Sequence, residues 1–329
     1  MSSGIISTGK YIPSIKVSNH NVSKKLNLPA KKIFEKTGIN FRYFSSRKET
    51  ISFMATKAAK QAITKSNISK EKIDLVICCN YEAEYKFPCL ASKIVKNLNL
   101  KNCGSFDINA NCTGFQIGLS TACEKIKCDK SINYVLVIGS ALQSKYLNWK
   151  IPENCIFYGD GSGAAIVGRV PNGYGLVSTD IFTDGKAYED VRLQGGGNLY
   201  PIESLSPKNK EKFLYDMNGL ETWKQVIVNQ PKVIKNVLKK ANITLNRVDL
   251  FIFHQANKNL LEYLTHKIGI EKNKTYSTVS KYGNTADASI AITLNDAILN
   301  KQIKKGSYVL ISGVGAGFIF GASLFKWFK

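Results

Sequence analysis

Histidine is scarce: the 329 residues hold three, and no cysteine stands with another cysteine or with a histidine at a spacing that would hold a metal ion. A zinc or iron–sulfur site is therefore not expected. Low-complexity tracts are also absent, and 44% of the residues are hydrophobic, which excludes a disordered chain and fits a globular one with a large core. The first residues, MSSGIISTGKYIP, lack a basic segment followed by a long apolar one, so a secretory leader is not expected. One charge-free stretch is long enough to span a bilayer, YVLISGVGAGFIFGASLF at 308–325, but its glycines suit a tight turn between two buried strands. Acidic side chains are few, 24 against 46 Lys and Arg, giving a net charge of +22. The lysines are dispersed and no nucleic-acid-binding module is present, so nucleic acid is not an expected partner. Two readings of the charge stay open, a lysine-rich habit on solvated faces or a surface for an acidic protein. The eight cysteines all lie between Cys78 and Cys155 and are expected to be reduced thiols in a cytoplasmic protein.

What is present starts with DINANCTGFQIG, residues 107–118. The apolar Phe106 leads in as a strand, and the small residues Thr113, Gly114, Gly118 and Ser120 suit a helix buried on several sides. Cys112 is predicted at the first turn of that helix, where unpaired N–H groups and the helix dipole favour a thiolate. Cys112 is thus either a prepared nucleophile or a small buried hydrophobe. The rest of the chain must decide.

The two halves resemble each other. NISKEKIDLVICC (67–79) matches NITLNRVDLFIFH (242–254) at Asn67 and Asn242, Ile68 and Ile243, Asp74 and Asp249, and Leu75 and Leu250. Each segment follows an amphipathic helix pattern, near 51–66 and 224–241, and ends in an apolar strand. NYVLVIGSA (133–141) and SYVLISGVG (307–315) match at nearly the same offset. A duplicated α/β unit is predicted, residues 1–170 and 171–329. The offset places Cys112 opposite Ala286 and His254 opposite Cys79, so Cys112, His254 and Asn284 are expected to converge where strand ends meet helix starts. Taken singly, His254 also reads as an ordinary strand-end histidine and Asn284 as a turn residue.

Five segments in order, DINANCTGFQIG, YGDGSGAAIVG (158–168), HQANKNLLEYL (254–264), KYGNTADASIA (281–291) and GVGAGFIFGASL (313–324), resemble the β-ketoacyl-acyl carrier protein synthase III family of the thiolase superfamily. The likeness spans essentially the whole chain. It implies an α/β fold of five layers, αβαβα, in a homodimer, and condensation of an acyl thioester with malonyl-acyl carrier protein. The acyl donor would be a coenzyme A or carrier thioester, with no further cofactor. By the resemblance Cys112 is the acylated nucleophile, and His254 and Asn284 act on the malonyl thioester. Phe87 is expected at an acyl-pocket gate reached from the partner subunit. The loop Gly315, Ala316 and Phe318 is expected to shape the pocket and contribute to an oxyanion hole. The chemistry agrees: a thiolate attacks a thioester well and leaves well, and an enolate oxygen can be held by an imidazole N–H and an amide N–H.

The chain departs from the family's pattern on the route to the site. Lys32 and Lys36 stand where many members carry a tryptophan and an arginine for coenzyme A, and lysine neither stacks nor forks as those do. Asn259, flanked by Lys258, replaces a frequent arginine facing the carrier, and Lys224 matches a carrier-facing lysine. In NYEAEYKFP (80–88), Glu82 and Glu84 are expected to face solvent. The sharper alternative is an additional acid or base near the reaction. A decarboxylating condensing enzyme is the leading expectation. A related acyltransferase delivering the acyl group to an oxygen or nitrogen nucleophile is the alternative.

Overall fold

The computed structural model describes residues 2–329. The first half runs β1 (Ser2–Tyr11), α1 (Ile51–Ser66), β2 (Leu75–Cys79), α2 (Leu90–Leu98), β3 (Gly104–Ile108), α3 (Gly114–Cys128), β4 (Tyr134–Ala141) and β5 (Gly161–Val170). The second half runs β6 (Gly175–Thr183), α4 (Gly219–Ala241), β7 (Leu250–Phe253), α5 (Lys258–Ile268), α6 (Ala288–Leu299), β8 (Tyr308–Gly315) and β9 (Ile319–Lys326). One sheet has the order β1-β5-β4-β2-β3 and the other β7-β8-β9-β6.

The sequence repeat has a physical basis in this frame. Asn67 and Asn242 each close the helix before a repeated strand in the left-handed conformation, φ 58° and 53°, which asparagine tolerates better than most residues. Asp74 and Asp249 each accept the backbone N–H that opens the adjacent strand, Tyr134 at 3.1 Å and Tyr308 at 2.7 Å. The continuous apolar runs LVICC and LFIF lie in parallel pairings and are buried on both faces, as parallel strands covered by helices on either side require.

Helices α1 and α2 cover the outer face of the first sheet, with Met54, Ala58, Ile94 and Ile138 in one core. Helices α4 and α5 cover the outer face of the second, with Val233, Leu264 and Phe320 in another. Between the sheets lie α3 and α6, whose Phe115, Leu119, Ile290 and Leu294 share a core with Ile77, Val137, Ile252 and Ile311. These are the five layers expected. The apolar stretch 308–325 forms the antiparallel pair β8 and β9, and among the described residues no helix is long and apolar enough to cross a membrane. Because α3 and α6 are the central layer, their first turns open toward the same interior.

Candidate functional site

Cys112 sits in a 3-10 turn, Asn111–Thr113, directly before α3 rather than within the helix's first turn. Asn111 takes φ 49°, and the matching approach to α6 has Ala286 at φ 40°. The two halves thus repeat a left-handed kink at the helix entrance, and the asparagine is the residue better suited to it. The glycine loop meets the cysteine turn: a Cβ on Gly315 would collide with the Ala110 carbonyl, and Asn111 Nδ2 donates to Ala316 O at 3.3 Å. Gly315 is what allows that backbone approach.

His254 ends β7, and its N–H donates to Ser312 O of β8 at 2.9 Å. Ser312 leads into Gly313, which packs against Thr113 beside the cysteine. The imidazole is buried, and that burial lowers its pKa to about 3, so the ring is neutral at physiological pH. Nδ1 lies 2.7 Å from Ser289 Oγ, at the first turn of α6. Gln255 N–H donates to the same oxygen at 3.4 Å, and the Ser289 hydroxyl has no other acceptor among the described residues. The hydroxyl proton therefore goes to Nδ1, and the ring carries its own proton on Nε2.

Asn284 lies against Tyr158, with which it forms an isolated parallel bridge, and the Tyr158 phenol is close enough to Cys112 to feel its charge. Asn284 Oδ1 accepts from Ala286 N–H at 2.9 Å, which orients the amide and leaves Nδ2 without a protein partner among the described residues. His254 Nε2 is likewise unpartnered among the described residues, so each of these two buried side chains keeps a neutral N–H donor free.

The electrostatics correct the sequence-based expectation for Cys112. Burial raises its thiol pKa and the Asp287 carboxyl raises it further, while the cysteine's own backbone N–H pulls the other way. The resting group is a thiol, because desolvation outweighs the helix-start effect. Phe318 is also corrected. Its N–H is committed to Asp184 O at 3.0 Å and its ring is buried with Phe320 in the outer core, so it cannot supply an oxyanion donor. Phe87 is 85% exposed on the loop after β2 and does not close the site of its own chain. Glu84 is exposed, as expected, with Ser52 Oγ 2.5 Å from its carboxylate. Glu82, expected in solvent, is 8% exposed and bonded to Tyr215, because the loop folds inward over Leu142.

The four lysines gather on one side. Lys32 and Lys36 lie on the helix Ala30–Thr37, which α5 grips through Asn257 Nδ2 to Lys36 O and Asn259 Nδ2 to Glu35 O, at 3.2 and 2.8 Å. Lys258 opens α5 and packs on Gly38. Lys224 lies on α4 next to Trp223, whose ring contacts Tyr263 of α5 at 5.8 Å. Their ion pairs with Glu153, Glu221 and Glu262 are 3.4 to 3.7 Å long and largely exposed, hence weak, and the lysines remain available. Sequence reasoning missed Ser289, Gln143 and Asp287. Each meets its neighbours from far away in the chain, which local sequence does not reveal.

Fold and site together define a class, condensing enzymes of the thiolase fold. A family model described as 3-oxoacyl-[acyl-carrier-protein] synthase III matches residues 106–185, which include Cys112. Its C-terminal counterpart matches residues 238–327, which include His254 and Asn284. The chain is 36% identical to the β-ketoacyl-[acyl-carrier-protein] synthase III of Clostridium tetani, covering 98% of both chains. It is 34% identical to that of Caldanaerobacter subterraneus, covering 100% of this chain and 99% of the relative. The crystal structure of the Aquifex aeolicus 3-oxoacyl-[acyl-carrier-protein] synthase III superposes with TM-score 0.91 at 32% identity, covering 99% of this chain and 100% of that one. The chain belongs to the β-ketoacyl-[acyl-carrier-protein] synthase III family.

Proposed function

We propose that the protein joins an acyl group, held on Cys112, to a malonyl unit delivered by an acyl carrier protein, releasing carbon dioxide and a 3-oxoacyl thioester. What supports this is that His254 and Asn284 each keep a neutral N–H, Nε2–H and Nδ2–H, free of protein partners among the described residues, in segments that the family likeness pairs with Cys112. In the first half-reaction the Cys112 sulfur attacks an acyl thioester, the acyl C–S bond of the donor breaks, and the thiol proton leaves with the departing thiol. The Cys112 N–H and an N–H of the Ala316 loop are the donors for the tetrahedral oxyanion, each worth roughly 3 to 4 kcal/mol in comparable sites. In the second half-reaction the malonyl carboxyl–carbon bond breaks, and its electron pair becomes an enolate whose oxygen accepts from His254 and Asn284. The enolate carbon then forms a bond to the acyl carbonyl, and the Cys112 thiolate departs. A neutral imidazole suits this role, since it donates without having to lose a charge.

The basic face formed by Lys32, Lys36, Lys224 and Lys258 is the proposed seat of the acidic carrier, with its main effect on encounter rate. The same charges meet coenzyme A phosphates if the acyl donor arrives in that form. Acyl thioesters suffice for this chemistry, without a resident cofactor. Phe87, so exposed in one chain, is proposed to complete the acyl pocket of a second copy in a homodimer. Eight unpaired cysteines fit a reducing compartment such as the cytoplasm.

Intact-protein mass spectrometry after incubation with acyl thioesters, followed by malonyl-carrier, tests this reading. An acyl mass added to the wild type but not to Cys112→Ser, then lost together with carbon dioxide release, is the expected result. Acylation without carbon dioxide release would sink the condensing assignment.

A further inference from the structure

Behind Asn284 lies a buried chain of polar groups. Gln143 Nε2 donates to the carbonyls of Asn284 at 2.7 Å and Gly159 at 2.9 Å, which fixes the amide and turns Oε1 the other way. Oε1 meets the Tyr81 hydroxyl at 3.2 Å. Tyr81 Oη lies 2.7 Å from Tyr215 Oη, and Tyr215 Oη lies 2.5 Å from Glu82 Oε1. The other carboxyl oxygen of Glu82 accepts from Leu142 N–H at 3.1 Å.

These contacts can be counted in protons. The links Glu82 to Tyr215, Tyr215 to Tyr81 and Tyr81 to Gln143 each need one hydrogen, and Gln143 Oε1 has none to give. The two tyrosines supply two. An ionised Glu82 leaves one oxygen pair at hydrogen-bond distance with nothing between, whereas a protonated Glu82 completes all three in one direction. The structure assigns Glu82 as a neutral carboxylic acid and the terminal donor of a hydrogen-bond chain that runs through Tyr215, Tyr81 and Gln143 to the Asn284 carbonyl. Glu82 is thereby a positioning residue for the malonyl half-reaction, an assignment that rests on the role proposed above for Asn284.

The surroundings favour the neutral form. Burial raises the Glu82 pKa to about 8 despite the bonds from Tyr215 and Leu142 and a weaker one from Tyr81. Asp160 raises it further, and an ionised Glu82 would in turn raise the pKa values of Asp287, Tyr146 and the Cys112 thiol. Glu82 lines, with Lys145, Glu84, Thr50 and Tyr146, a cavity of about 180 Å³. When Glu82 ionises, Tyr215 turns its proton to the carboxylate and Tyr81 must choose between Tyr215 and Gln143. Gln143 then loses its anchor, and the Asn284 segment loosens. Malonyl decarboxylation is therefore expected to fall as pH rises through the Glu82 pKa, while acylation of Cys112 does not follow that limb.

The test measures single-turnover carbon dioxide release from protein already acylated on Cys112, so that the thiol does not titrate. Wild type should show an alkaline limb with its midpoint near pH 8, the value expected for Glu82. Glu82→Gln reproduces the neutral donor, so it should keep the plateau rate and lose the limb. Glu82→Ala should lower the plateau about tenfold, the loss of one buried hydrogen bond. Infrared difference spectra between low and high pH should show a protonated carboxyl band in wild type that is missing in Glu82→Gln. Absence of that band overturns the neutral-acid assignment while leaving the condensing function standing. An unchanged alkaline limb in Glu82→Gln overturns the positioning role. No carbon dioxide release at any pH sinks the reading of Asn284 and the positioning role with it, while the carboxyl band still decides the state of Glu82 separately.

Discussion

His254 Nδ1 and Ser289 Oγ lie 2.7 Å apart, joining the end of a strand in one layer to the first turn of the central helix α6. The contact sets which ring nitrogen carries the proton. It is a tautomer lock made through the imidazole nitrogen opposite the free Nε2.

Ser289→Ala removes that lock. Carbon dioxide release is expected to fall about tenfold, the size of one hydrogen bond, while the acyl mass added to Cys112 stays the same. Equal losses in both half-reactions would show that Ser289 supports the fold and not the tautomer.

Asn284→Ala deletes one of the two proposed enolate donors. Loss of a preorganised donor of this kind costs roughly 10² to 10³ in rate. The expected loss is confined to malonyl decarboxylation, measured on pre-acylated protein.

Asp287 places a fully buried carboxyl against Gly114, with neither oxygen hydrogen-bonded. Burial pushes its pKa well up, and Glu82 adds to this. The folded protein therefore holds this proton above the ordinary carboxyl value of 3.8, and stability falls as pH rises past that value. Asp287→Ala is expected to raise the melting temperature at pH 7, by the few degrees that about 1 to 3 kcal/mol implies, with a gain that shrinks toward pH 4. In wild type, alkylation of Cys112 should keep rising beyond pH 9 without a plateau.

Glu49 behaves in the opposite sense. Burial alone would raise its pKa, but bonds from Ser46, Tyr11 and Ser14 hold it down at about 2. Its contribution is complete above the ordinary value of 4.5 and is lost as pH falls toward 2. Melting curves of Glu49→Gln should show the largest deficit near pH 7 and convergence with wild type at the acid end.

Lys36→Glu and Lys258→Glu reverse charge on the proposed carrier face. The expected outcome is a KM for the malonyl-carrier raised about tenfold at low salt, with kcat little changed and the difference shrinking as salt is added. A salt-independent loss would point to damage at the packed Gly38 contact instead.

Much of the architecture was legible in the chain because duplication writes the same local requirements twice. Asn67 and Asn242 match since both close a helix in the left-handed region, and Asp74 and Asp249 match since both cap a strand start. The helix expected near 224–241 begins earlier, at Gly219, because Asn218 caps it through the Glu221 N–H, a local signal that the apolar periodicity does not carry. Cys112, His254 and Asn284 were readable as candidates from residue type and order.

The amino-acid sequence by itself determined the elements, their pairing into two alike halves and three candidate side chains, because helix caps, strand runs and nucleophile chemistry are local properties. Only the tertiary structure decided the protonation state of each group. Whether Cys112 rests as a thiol, which nitrogen of His254 holds its proton and why Glu82 stays neutral depend on burial and on partners brought from distant parts of the chain. Desolvation and hydrogen-bond counting act on enclosed space, and the one-dimensional chain contains no enclosed space.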